Sequence, residues 1–204
     1  MANSGVGISL QQFEQMNRRL SGKAARAADP VAAPAGKRVP QVILGVDPSL
    51  RGTGYGVIRT GAQPVALAQG MIACPKDWEH SRCLAAIGRT LREVILQHQP
   101  QVCVVEGLFF AQNLKTAIIM GEARGAALAV MGEAGLEVYE IATRKVKQAV
   151  VGYGAAQKVA VAKMVQRMLH LAELPAPDAA DALALALTHA QEYSRYNLNP
   201  PKRI

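Results

Sequence analysis

The chain has 204 residues, half of them hydrophobic and 19% charged, with a net charge of +8. That length suits one domain with a real core and excludes a two-lobed architecture. No run of about 18 apolar residues is present, so no membrane span is expected, and the N-terminus lacks the apolar core of an export signal.

A cytoplasmic protein is therefore expected. Cys74, Cys83 and Cys103 are odd in number and form no CxxC pair. They read as small apolar residues in a reducing compartment, not as a disulfide or zinc framework. Residues 1–38 hold Arg18, Arg19, Lys23, Arg26, Lys37 and Arg38 against Glu14 and Asp29, so half of the net charge of +8 lies in this leader. A basic arm on a modestly basic body fits a polyanionic partner, nucleic acid above all, although a merely soluble basic surface gives the same count.

In chain order, "SLQQFEQMNRRL" has the spacing of a short amphipathic helix, and "GKAARAADPVAAPAGKRVP" has almost nothing to bury and reads as a linker. The leader 1–38 is thus expected to precede a folded body over 39–194 and a tail over 195–204. The body opens with the buried-strand run "QVILGVD", stopped by Asp47, and the turn "PSLRGTG". "YGVIRT" and "PVALAQGMIAC" follow as hairpin-connected strands. Residues 80–98 carry the helical stripe Leu84, Ile87, Leu91, Val94 and Ile95. "QVCVVEG" is a fourth strand, ended by Glu106. A helix over roughly 112–132 places Leu114, Ile118, Gly121, Gly125 and Leu128 towards one side. "LEVYEI" is a fifth strand, followed by "RKVKQAV", a helix over 155–171, and the segment "PDAADALALALTHA". Three strands, then alternating helices and strands, describe a mixed α/β sheet: an antiparallel meander extended by parallel strands through right-handed crossovers.

The last segment poses the chemical question. Ala and Leu are strong helix formers, yet Asp178 and Asp181 stand in the first turn. Capping explains them in the ordinary way, with Asp178 as N-cap after Pro177. Their three-residue spacing also projects both carboxylates to one side. Asp47 and Glu106 each end a buried strand, the edge at which open α/β sheets place ligands. If those two strands are neighbours, about 4.8 Å apart, the carboxylates cluster. Strand-end acids also commonly just face solvent. Four clustered acids repel one another unless a cation compensates, and a pair of hard Mg²⁺ or Mn²⁺ ions, bound through oxygen, suits phosphodiester hydrolysis.

The blocks "ILGVDPSLRGTGYGVI", "VVEGLFFAQN", "GEARG", "RKVKQAVVGYGAAQK" and "PDAADALALALTH" resemble, in the same order, the motifs of the RuvC-type Holliday junction resolvases. The resemblance covers residues 42–190. It implies a ribonuclease H-like fold, here a five-stranded mixed sheet flanked by helices, and a homodimer that nicks four-way DNA junctions symmetrically with Mg²⁺. It assigns catalysis and metal binding to Asp47, Glu106, Asp178 and Asp181. Two ions per site, replaceable by Mn²⁺, and a branch-migration complex as partner are also implied. The family commonly has Gly where Ser49 stands and a polar residue where Gly107 stands.

Phe109 and Phe110 follow Glu106 closely in a chain with 4% aromatics. Two Phe after a strand ordinarily pack in a core; the resemblance points to Phe109 as a ring that stacks on an unpaired base, leaving Phe110 to the core. Arg144, Lys145 and Lys147 form a basic run before Lys158. Such a run is usually a solvated face; between two acidic blocks it suits phosphate contacts. Lys147 and Lys158 match basic positions of the family, ahead of Arg144. "GTGYG" lacks the GxGxxG spacing and reads as a turn, not a nucleotide loop. The rival readings are another ribonuclease H-like nuclease, an actin-like ATPase that this length does not accommodate, and a non-catalytic junction-binding protein.

Overall fold

The computed structural model describes residues 40–107, 113–193 and 201–204. The leader and the pair Phe109 and Phe110 lie outside the described residues. Strand β1 (Val42–Asp47) pairs antiparallel with β2 (Gly52–Arg59), which pairs antiparallel with β3 (Val65–Ala73). Helix α1 (His80–His98) leads to β4 (Val102–Gly107), and α2 (Leu114–Glu133) leads to β5 (Glu137–Ala142); β4 lies parallel to β1, and β5 parallel to β4. Then come α3 (Thr143–Val151), α4 (Lys158–Leu169), α5 (Pro177–Tyr193) and β6 (Lys202–Arg203). The sheet order is β3-β2-β1-β4-β5-β6.

The meander and its parallel extension are as expected, but the sheet has six strands where five were expected. The added β6 is a two-residue edge strand, antiparallel to β5, too short to leave an alternating pattern. Its pairing is reinforced by the Ile204 N–H donating to Val138 O at 3.0 Å and by an Arg203–Glu137 ion pair at 2.9 Å. Residues Lys202 and Arg203 of the expected tail therefore cover a sheet edge.

Alternation along the strands divides the core into two layers. Leu44, Val46, Cys103 and Val105 pack with Ile87, Leu91, Ala127 and Met131 of α1 and α2. Ile43, Val102, Val104 and Ile141 face the other way, against Val146, Val161, Val165, Leu183 and Leu187 of α3, α4 and α5. The same parity puts Asp47 on the face of Ile43 and Gly45, and Glu106 on the face of Val102 and Val104. Both acids therefore look toward α5, not toward α1 and α2.

Helix α5 is buried continuously from Ala182 to His189, as expected of a helix that is apolar all round. Its backbone rests almost directly on the first two strands. A Cβ added to Gly45 would stand 1.9 Å from Ala182 O, and one added to Gly54 would stand 2.0 Å from Asp178 O. "GTGYG" is thus not a turn: it forms the start of β2, and Gly54, like Gly45, is small because a helix backbone lies across it, while Gly56 makes room for Leu183 of the same helix. The turn itself is short and locked by Thr53, whose Oγ1 accepts from Ser49 N–H at 3.1 Å and donates to Ser49 O at 2.6 Å. Ser49 takes part through its backbone, so a side chain there is tolerated.

On α2 the layers are inverted from the simplest reading of its apolar stripe. Ala123, Ala127, Val130 and Met131 are buried, whereas Leu114 is 77% and Ile118 53% exposed, and a Cβ on Gly121 or Gly125 would meet nothing within 4 Å. All three cysteines are buried and free. Among the described residues no helix is long and apolar enough to cross a membrane.

The contrast between crowded and open glycines has a measurable outcome. Gly45→Ala is expected to lose about 3 kcal/mol or more in urea denaturation, because backbone atoms of a packed helix cannot give way. Gly132→Ala, where an added Cβ meets nothing within 4 Å on the same scale, is expected to gain about 0.5–1 kcal/mol from helix propensity.

Candidate active site

The acids converge through three separate pieces of the fold. Asp47 and Glu106 directly follow the paired residues Val46 and Val105 on neighbouring parallel strands, so the assumed strand order holds. Asp47 is also the register partner of Gly54, and Gly54 is where the Asp178 backbone lies against the sheet. A Cβ on Gly52 would stand 3.3 Å from Asp178 Oδ2. The helix thus delivers its first turn to the carboxyl end of β1.

Asp178 does not cap that helix, contrary to the simplest expectation. The Ala180 N–H donates to Ala176 O at 2.8 Å, so Ala176 holds the capping position and Pro177 the first helical one, where its missing N–H costs nothing. Asp178 and Asp181 then lie inside the helix, on the side facing the strand-end acids.

Lys158, the first residue of α4, was expected to meet phosphate; it stands among the acids. Its Nζ is 3.0 Å from Asp181 Oδ2 and 3.9 Å from Asp178 Oδ1. The hydrogen bond to Asp181 is the largest cause holding the Lys158 ammonium above its ordinary value. Even so the cluster is short of positive charge. Burial, then the charge of Glu106, a hydrogen bond with Glu106 and the charge of Asp181 push Asp47 from the ordinary 3.8 up to about 8, against the opposing pull of Lys158. Asp181 is also raised, first by burial, with Lys158 opposing.

An all-carboxylate donor set with one proton forced onto Asp47 is the chemistry a hard divalent cation relieves. Among the described residues no three such side chains already close on one ion-sized point. The fit is one of donor type: carboxylate oxygens are the ligands that a hard divalent cation takes. The donor chemistry therefore fits a metal.

Two residues that the sequence reading gave no role hold Glu106, Arg124 from the block "GEARG" and Thr143. Thr143 Oγ1 donates to Glu106 Oε1 at 2.5 Å. Arg124, nearly buried on α2, donates through one guanidinium nitrogen to the Glu106 backbone oxygen and through the other to Glu140 Oε2 at 2.5 Å. A lone Arg between Ala123 and Ala127 on the buried side of a helix is the available signal for Arg124. Thr143 leaves none, because its partner lies 37 residues away.

Of the other expected DNA contacts, Phe109 lies outside the described residues and the basic ones lie on α3. Arg144 is exposed and passes close over Gly154, and Lys147 is half-buried on α3. Lys145 pairs with Glu192 at 2.6 Å. His189 is buried, its ring centroid 4.8 Å from that of Tyr139, in keeping with a packing role.

The raised Asp47 carries a stability consequence with a definite sign. The folded protein binds a proton that the unfolded chain has released between the ordinary carboxylate value and about 8, so metal-free stability falls as pH rises through that window. Asp47→Asn is expected to flatten the decline and to raise the metal-free melting temperature at pH 8.5 by roughly 2–8 °C, equivalent to about 1–2 kcal/mol. Differential scanning fluorimetry across pH 5–9, roughly spanning that window, checks it; parallel profiles for the two proteins would refute it.

Comparison with known proteins agrees with this geometry. The profile of the family described as crossover junction endodeoxyribonuclease RuvC matches residues 43–189. The crossover junction endodeoxyribonuclease RuvC of Nitrosomonas eutropha is 46% identical over 158 residues, covering 77% of this chain and 87% of the relative. That of Syntrophomonas wolfei is 44% identical over 153 residues, covering 74% and 89%. Among solved structures, T. thermophilus RuvC in complex with Holliday junction substrate superposes with a TM-score of 0.73 at 35% identity, covering 80% of this chain and 99% of that one. The yeast mitochondrial resolvase Ydc2, at 12% identity and a TM-score of 0.51 over 77% of this chain and 82% of that one, shares the fold alone. The fold is ribonuclease H-like, and the chain belongs to the RuvC family of metal-dependent crossover junction endodeoxyribonucleases.

Proposed function

We propose that this protein resolves four-way (Holliday) DNA junctions during recombination and DNA repair by paired, symmetrical, Mg²⁺-dependent nicks, acting as a homodimer in the cytoplasm. The observation that carries the reading is the meeting of Asp47, Glu106, Asp178 and Asp181 at one sheet edge, with Lys158 among them. In a family of junction nucleases, that cluster is the group suited to phosphodiester hydrolysis.

Two Mg²⁺ ions per site, replaceable by Mn²⁺, would be held by these four carboxylates and would supply an activated water and stabilisation of the leaving oxygen. The protein's own part is positioning and charge. Asp47 keeps its proton through burial, the charges of Glu106 and Asp181 and a hydrogen bond with Glu106, and positive charge in the cluster would favour its release. Lys158, already tethered by Asp181, offers an ammonium to the incoming phosphate. Attack by water in line with the bond to the 3′ oxygen leaves a 5′-phosphate and a 3′-hydroxyl, ends that a ligase can seal.

DNA contacts follow the same logic. Lys147 and Arg144, with Lys158, are assigned to the phosphate backbone, and Phe109 to stacking on an unpaired base at the junction. A branch-migration complex is the partner that would deliver a mobile junction. The exposed Leu114 and Ile118, continued by the open Gly121 and Gly125, support a dimer face on α2, because small residues let helix backbones approach closely.

The direct test uses a mobile synthetic four-way junction. Asp47→Asn is expected to lower Mg²⁺-dependent nicking by about 10²-fold or more while junction binding in gel shift persists. Undiminished cutting by that variant would refute the assignment, and a wild type that binds the junction without nicking would favour a non-catalytic binder. Equal cutting of four-way, duplex and hybrid substrates would favour a general nuclease of this fold. Gly125→Glu is expected to sediment as a monomer where wild type sediments as a dimer; an unchanged dimer would remove α2 from the interface.

A further inference from the structure

We propose that Thr143 is a positioning residue for Glu106, its hydroxyl fixing the carboxylate plane so that Glu106 and Asp47 offer their oxygens to a divalent ion in one orientation. The inference rests on the acid cluster being the metal-binding site and adds to it a residue outside the carboxylate set.

Position argues first. Thr143 is the first residue of α3, preceded by Ala142, whose extended backbone (φ −68°, ψ 138°) begins the helix with no side-chain capping bond. A threonine hydroxyl at a helix start commonly serves the free N–H groups of that helix. Here it is turned away from them, onto a carboxylate of another element. The register explains how it reaches: Glu106 pairs with Ile141 and Gly107 with Ala142, so Thr143 is the first residue beyond the β4–β5 ladder on the acid side.

Geometry argues second. The Oγ1–Oε1 distance of 2.5 Å is that of a strong O–H···O⁻ bond. Arg124 holds the backbone oxygen of the same residue from the opposite layer and is itself anchored on Glu140. Glu106 is therefore pinned at its main chain by Arg124 and at its carboxylate by Thr143. Glu106 ends in a carboxylate at the tip of two methylene groups, and without the hydroxyl only its hydrogen bond with Asp47 is left to orient that plane. Partners behind metal ligands act in this manner, orienting the ligand without touching the ion.

The test compares full-length Thr143→Val, which keeps the shape and loses the hydroxyl, with Thr143→Ser, which keeps the hydroxyl. Binding of Mn²⁺ to the protein without DNA is read from loss of the free-ion paramagnetic resonance signal. Nicking of a four-way junction is then titrated with Mg²⁺. Thr143→Val is expected to bind Mn²⁺ roughly 10-fold more weakly and to need correspondingly more Mg²⁺ for half-maximal nicking. Junction affinity measured without divalent metal stays at the wild-type value, and Thr143→Ser restores both metal readouts. Wild-type Mn²⁺ affinity in Thr143→Val overturns the inference, as does an equal loss in Val and Ser. If Thr143→Val does not fold, Thr143→Ala against Thr143→Ser makes the same comparison. A wild-type protein that binds no Mn²⁺ overturns the acid-cluster reading itself, a result distinct from failure of the Thr143 assignment alone.

Discussion

The contact on which the rest of the molecule depends is backbone against backbone: α5 lying across β1 and β2 where Gly45 and Gly54 leave no side chain in the way. Any Cβ at those points would lift the helix off the sheet, and with it the first turn that carries Asp178 and Asp181. A lift of one or two ångströms is tolerable to a hydrophobic core that can repack. It would not be tolerable to a cluster of carboxylates that is to hold a divalent ion, as proposed, because oxygen ligands sit within about 2.0–2.6 Å of such a cation. Close packing here is a requirement of the site, and stability follows as a by-product of burying an apolar helix.

That precision works against the electrostatics. Bringing like charges together at a partly buried edge raises their proton affinity, and Asp47 registers most of the strain. The fold answers with unequal means. Lys158 supplies one positive charge at Asp181 and Asp178, Thr143 supplies a hydroxyl at Glu106, and Asp47 is left with a proton. The residue with the least compensation is the one most in need of a cation.

The two faces of the sheet divide the labour. The layer with α3, α4 and α5 faces the acids and the basic residues around them, whereas α1 and α2 cover the opposite layer and leave Leu114 and Ile118 outside. Arg124 links the layers, reaching from α2 to the main chain of Glu106 and to Glu140. An interface on α2 would thus be joined to the strand that carries Glu106 by an ion pair and hydrogen bonds, not by apolar packing alone.

Much of this is legible in the amino-acid chain itself. Strands show as apolar runs stopped by Asp47 and Glu106, the stripe of α1 follows helical spacing, and the order of the acidic blocks identifies the family; these are local patterns or matches of motif order. What local pattern misreads depends on neighbours. "GTGYG" has the composition of a turn yet forms a strand, since only the presence of α5 explains small residues there. Asp178 looks like a cap because spacing cannot tell a capping residue from the second residue of a helix begun by Pro177. A two-residue β6 is below any periodicity, and Thr143 is unmarked because its carboxylate partner is distant in sequence. The amino-acid sequence by itself therefore determined the principal strands and helices, the family, and which acids stand as candidates. Only the tertiary structure decided how near they come, which of them keeps its proton, and which residues hold them there, because those properties arise from distances between segments that no short stretch of sequence encodes.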